Sequence, residues 1–144
     1  RSGGAQGADT AFEKGCDANK GAKEIYLPWQ NFNKNPSPLH QVSDEAWELA
    51  ADVYGPRWRY LKRPVKYLMT RNVYQILGMN LDTPSSLVIC WTPDGCEFET
   101  TRSAKTGGTG QAIALAHRYD IPVFNLRNEG RTDMLISFIR ELIQ

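Results

Sequence analysis

Arg1-Ser2-Gly3-Gly4-Ala5-Gln6-Gly7-Ala8-Asp9 sets three glycines and two alanines directly ahead of a helix-forming run, Ala8 to Asn19. Small residues let a backbone turn sharply, enter positive φ and approach another group closely. The first amides of the helix that follows lack intrahelical acceptors and carry the positive end of its dipole. Two readings follow: a tight turn that packs a helix on a sheet, or a seat for a phosphate or another anion. The device occurs twice. Thr106-Gly107-Gly108-Thr109-Gly110-Gln111 opens into a second helical run, Ala112 to Tyr119, and this repetition favours the anion seat.

Outward from the first turn, Ala8, Ala11, Phe12 and Cys16 form one apolar helical face, and Gly21 stops the helix. Lys23 to Leu27 reads as a short strand ended by Pro28. Residues 28 to 42 hold three prolines and three asparagines and form a loop. Trp29 and Phe32 on it either stack on a base or pin the loop to the body. Ser43 caps a helix to Tyr54 with Asp44 and Glu45 in its first turn, and Gly55-Pro56 ends it. Residues 57 to 71 are basic: Arg57, Arg59, Lys62, Arg63, Lys66 and Arg71 alternate with Trp58, Tyr60 and Tyr67 and include no acid. If this stretch is helical, Arg59, Lys62, Arg63 and Lys66 share one side. Pro64 belongs in the first turn of a helix that continues to Leu77.

Asn80 to Pro84 is a turn. Ser85 to Trp91 is a short, β-branched run of the kind buried in a parallel sheet. A polar loop from Thr92 to Thr106 leads to the second glycine turn, Ile121 to Asn125 is the next strand, and Thr132 caps a last helix to Ile143. Strands alternating with helices predict βαβ units and a mainly parallel sheet, an α/β fold in which ligands sit beyond the carboxyl ends of the strands.

The length of 144 residues fits a single domain, 1–144, with an ordinary globular composition of 41% hydrophobic and 23% charged residues. A net charge of +1 creates no global field for nucleic acid or membrane. No apolar run reaches the length of a membrane span, so no membrane partner is expected. Cys16, Cys90 and Cys96 are odd in number and irregularly spaced, which predicts reduced thiols in a cytoplasmic protein and neither a disulfide framework nor zinc. No other cofactor is implied. Arg1-Ser2-Gly3-Gly4 reads as the end of a strand, so an upstream strand and helix are expected to be missing from this sequence.

Ser2-Gly3-Gly4-Ala5-Gln6-Gly7-Ala8-Asp9, Arg71-Asn72, the run Leu87 to Trp91, Gly107-Gly108-Thr109-Gly110 and Ile121-Pro122-Val123 together resemble the SLOG superfamily of Rossmann-like proteins. Within it, the DprA-like and YspA-related branch of bacteria and their phages is most similar. The resemblance runs to about residue 125 and is poor over 28 to 60 and 92 to 106. It implies a Rossmann-like three-layer fold that binds a nucleotide or a nucleotide-derived phosphate ligand, and relatives that self-associate as homo-oligomers. Ser2, Gly3, Gly4, Gln6, Gly7 and Asp9 would form the first loop. Arg71 and Asn72 would approach the phosphate, Trp91 would stand nearby, and Gly107, Gly108, Thr109 and Gly110 would form the second loop. Glycine-turn amides, the Thr109 hydroxyl and the Arg71 fork suit phosphate oxygens. Asp9 suits a ribose hydroxyl, or simply the helix N-terminus.

The LOG-type phosphoribohydrolases of the superfamily carry a loop like PGGxGTxxE. Glycosidic cleavage builds oxocarbenium character that a placed carboxylate stabilises. Here Gln111, Ala112, Ile113 and Ala114 follow Gly110, and Thr106 replaces the proline. The departure falls on the chemistry, which favours binding over catalysis. Asp9, Glu97 or Glu99 as a carboxylate from elsewhere keeps a nucleotide N-glycosidase as the alternative. A second alternative is DprA-like single-stranded DNA binding through residues 57 to 71.

Overall fold

A computed structural model describes all of residues 1–144. Five helices and a two-stranded parallel sheet make a mixed α/β chain, and no helix is long and apolar enough to cross a membrane. The chain divides into two compact units, Arg1–Ser85 and Ser86–Gln144.

In the first unit, Ser2 bridges Ile25 in parallel: the Ser2 amide donates to the Glu24 carbonyl at 3.0 Å and the Tyr26 amide to the Ser2 carbonyl at 2.9 Å. The strand expected over Lys23 to Leu27 is reduced to this single bridge, although Ile25, Tyr26 and Leu27 are all buried. Helix α1 (Ala8–Ala18) follows the glycine turn. Residues 28 to 42 are irregular apart from one 3₁₀ turn, Phe32–Lys34.

Helix α2 (Asp44–Tyr54) starts as expected, with the Ser43 hydroxyl accepting from the Ala46 amide at 3.1 Å, and it stops at Gly55. Helix α3 (Arg63–Leu77) carries Pro64 in its first turn. Contacts between Ser43 and Tyr74 and between Trp47 and Tyr67 run in opposite chain directions, so α2 and α3 pack antiparallel. Their buried faces are Ala46, Ala50 and Val53 on one side and Met69, Val73, Ile76 and Leu77 on the other. Small alanines permit close approach of the two axes. The basic stretch is not one helix. Pro56–Tyr60 is a 3₁₀ turn, Leu61 and Lys62 are extended, and only Arg63 onward is α-helical, so the four cations do not share a helical side.

In the second unit, β1 (Val88–Cys90) pairs in parallel with β2 (Val123–Asn125), Val88 opposite Val123 and Cys90 opposite Asn125. Helix α4 (Thr109–Arg118) is the crossover between them, so its N-terminus lies at the carboxyl edge of the pair. Ile113 of α4 packs on Cys90 and Cys96, with Val88 and Val123 against them. Helix α5 (Arg131–Leu142) sets Phe138 against Phe124 of β2, ring centroids 5.4 Å apart. Its N-cap is Gly130 at φ 75° rather than Thr132, which lies inside the first turn.

Candidate functional site

The first glycine turn is built from beneath. Arg71 is buried in α3, and its Nη1 donates to the Gly3 carbonyl in a short contact and reaches the Tyr26 carbonyl at 3.5 Å. Its Nε donates to Asn72 Oδ1 at 3.0 Å. The Phe32 ring lies 5.9 Å from the guanidinium carbon. Burial pulls the guanidinium below its ordinary value, and the Asp9 carboxylate opposes that. An arginine in this range stays charged, so a buried cation is held by carbonyl oxygens and an acid's field.

Asp9 folds back over its own turn. Its Oδ2 accepts from the Ala5 amide at 3.1 Å, and Ser2 Oγ donates to the Asp9 carbonyl at 3.2 Å. Thr10 Oγ1 donates to the Ala5 carbonyl at 2.7 Å, and Asn33 Nδ2 to the Gly4 carbonyl at 3.0 Å. Every carbonyl named here is tied down by a side chain.

The glycines differ in what demands them. At Gly3 a Cβ would sit 2.6 Å from the Arg71 guanidinium carbon and 2.9 Å from Asp9 Oδ2. Gly4 combines φ 68° with Leu27 Cδ2 at 2.6 Å from such an atom. Gly7, at φ 96°, has nothing within 4 Å of that position. The mouth of the turn is therefore open above Gly7 and Gln6, at an α1 N-terminus with no side-chain cap.

Ser2, Gly3, Gly4, Asp9, Arg71 and Asn72 are thus linked by contacts in and under one turn, with Gln6 and Gly7 on the same turn. Arg71 bonds Gly3 of the loop, Tyr26 and Asn72, Asp9 accepts from Ala5 within the loop, and the exposed positions are Gln6 and Gly7.

The remaining predicted residues lie in the second unit. Helix α4 begins at Thr109, three residues earlier than expected, so Thr109 and Gly110 are first-turn residues and Gly108 is the N-cap. Gly107 takes φ 64° over open space, while Gly110 is buried, where a Cβ would meet Thr106 Cγ2 at 3.1 Å and Arg102 Cδ at 3.2 Å. Trp91 leaves the end of β1 and is 53% exposed.

Sequence reasoning missed what organises this edge. Asp94 accepts from Ser103 Oγ at 2.6 Å, Thr92 Oγ1 at 2.8 Å, the Cys96 amide at 3.3 Å and, in a short contact, Thr106 Oγ1. Ser103, then Thr106, then Thr92 hold its carboxyl far below the usual carboxylate range. The fully buried Asn125 donates from Nδ2 to Thr92 Oγ1 at 2.6 Å and to the Cys96 carbonyl at 2.9 Å. Glu97 accepts from the Asn125 amide at 2.9 Å and, in a short contact, from Arg131. Thr92-Pro93-Asp94-Gly95 is the one sequence signal for this, since an Asp in such a turn bonds forward to its own loop. Two of the carboxylates weighed for catalysis are committed: Glu97 as above, and Glu99 to Arg118 at 2.7 Å.

The site class stops there: a mixed α/β chain with glycine-opened helix N-termini. No family model, curated protein or solved structure matches it.

Proposed function

We propose that the chain binds a nucleotide or nucleotide-derived phosphate ligand at the open mouth of the first glycine turn, as a cytoplasmic member of the Rossmann-like SLOG superfamily. The observation that carries this is the pairing of a braced underside with an exposed upper side. Arg71 and Asp9 hold the turn from below and within, while Gly7 is exposed at the uncapped α1 N-terminus with open space where a Cβ would stand. Helix N-terminal amides preset in this way favour an anion at little ordering cost. Arg71 and Asp9 act here as positioning residues. The glycine turn of α4 offers the same kind of N-terminus, Gly107 and Gly108 included. Three free thiols agree with a reducing compartment. Binding is preferred to cleavage because Asp9, Glu97 and Glu99 all have structural partners.

A calorimetric and thermal-shift panel of nucleoside mono- and diphosphates, cyclic nucleotides and ADP-ribose tests this. Gln6→Glu adds one negative charge at the open mouth without touching the backbone, and it is expected to weaken binding by about tenfold. A folded protein silent to the whole panel, or binding indifferent to Gln6→Glu, removes the proposal.

A further inference from the structure

The first unit also carries a cavity of about 540 Å³ lined by Pro28, Trp29, Arg63, Pro64 and Tyr67. Two of these residues are aromatic and two are prolines, with Arg63 the one charged residue among them. Both aromatic walls are braced: Phe32 meets Trp29 edge-on at 5.2 Å, and Trp47 meets Tyr67 at 5.3 Å between centroids. Pro28, also in the lining, is fully buried. Arg63 Nη2 donates to Tyr67 Oη at 3.3 Å, and its guanidinium carbon lies 5.7 Å from that ring's centroid. An aromatic residue, rather than a carboxylate, positions this cation. Arg63 is also the first residue of α3, where the helix adds positive partial charge. A second cavity of about 520 Å³ shares Arg63 and Tyr67 and adds Ser43, Asp44 and Lys66.

We propose that this cavity binds a small molecule with a flat aromatic body and one anionic group. The body stacks on the Trp29 and Tyr67 faces, and the anion pairs with Arg63, with Lys66 in reserve. An aliphatic guest would leave the two flat faces poorly matched. A neutral ring would strip water from the guanidinium and return no hydrogen bond. The adjoining cavity sets Asp44 beside Arg63 and Lys66, an acid that a run of phosphates would meet and a single small anion would not need to. Nucleoside monophosphates and aromatic sulfonates or carboxylates share the required chemistry. The inference is independent of the glycine-turn reading.

Calorimetric titration of the full chain with naphthalene-2-sulfonate, and with AMP in the Gln6→Glu background, tests the assignment. Both are expected to bind, and adenosine or inorganic phosphate alone should bind at least about tenfold more weakly than AMP. Trp29→Ala and Arg63→Gln should each weaken both ligands by about tenfold, while Trp29→Phe, which keeps a stacking face, retains most of the affinity. Arg63 is exposed and lacks a carboxylate partner, so Arg63→Gln decides the matter if Trp29→Ala does not fold. Absence of binding by both aromatic anions overturns the proposal, as does binding insensitive to both substitutions. Salt-steep binding of oligo-dT without either small anion assigns the patch to a single strand instead. Gln6 does not line this cavity, so Gln6→Glu is expected to leave naphthalene-2-sulfonate binding unchanged, and failure here and failure of the glycine-turn proposal give different results.

Discussion

Replacing Gly3 by alanine should be among the most damaging single changes in the first unit. The added methyl would lie 2.6 Å from the Arg71 guanidinium carbon and 2.9 Å from Asp9 Oδ2, both well inside contact distance. An arginine tip at the surface would swing aside at little cost. This one is 6% exposed, and moving it gives up the carbonyls of Gly3 and Tyr26 and the Asn72 acceptor. Loss of a hydrogen bond to a buried charge costs about 1.5–3 kcal/mol, and forced overpacking about 1–3 kcal/mol. A loss of about 3–5 kcal/mol is therefore expected for Gly3→Ala, a large part of the stability of an ordinary domain. Two other glycines calibrate the measurement. Gly7→Ala meets no atom but must hold φ 96° with ψ −123°, a backbone region that disfavours a Cβ by about 1–3 kcal/mol. Gly15→Ala, inside α1 with nothing within 4 Å, should gain about 0.5–1 kcal/mol. Urea unfolding followed by circular dichroism and tryptophan fluorescence reads all three. If Gly3→Ala costs no more than Gly7→Ala, Arg71 relocates freely and the turn is not built on it.

The depressed carboxyl of Asp94 makes a pH prediction: its contribution to stability is complete above its unfolded value, about pH 4, and is lost as pH falls further. Melting temperature against pH should drop on the acid side, and Asp94→Asn should flatten that part of the curve. Glu97→Ala leaves the Asn125 amide and Arg131 without their acceptor and should cost about 2–4 kcal/mol, whereas Glu97→Gln keeps the amide bond and should cost less, by chemical denaturation. Among the thiols, burial pushes Cys90 up to about 12, and Cys96 is buried in the same cluster. Alkylation at pH 8 should therefore modify half-buried Cys16 first, as peptide mass spectrometry would show.

Some of this molecule is written in neighbouring residues. Ser43-Asp44-Glu45 and Gly55-Pro56 bound α2 because caps and breakers act within one helical turn. The glycine turn before α1 is legible for the same reason, since positive φ at Gly4 and Gly7 is a local demand. Helix α4 begins early because Thr109 and Gly110 fit a helical first turn as well as a loop, which composition cannot separate. The strand expected at 23 to 27 became one bridge because strand length depends on what lies alongside, and here only Ser2 pairs.

Roles that depend on distant segments were settled by tertiary structure alone. The resemblance puts Arg71 near a phosphate, and the structure adds a contact that no local signal gives, to the Gly3 carbonyl 68 residues away. The Thr92-Pro93-Asp94-Gly95 turn announces the bonds of exposed Asp94, but nothing local announces that the buried Asn125, 33 residues from Thr92, bonds the same hydroxyl. Short-range preferences identified where the chain turns and where helices start. Which polar groups face each other once buried was decided only by the packing that brought them out of water, because a buried donor takes whichever acceptor the fold delivers.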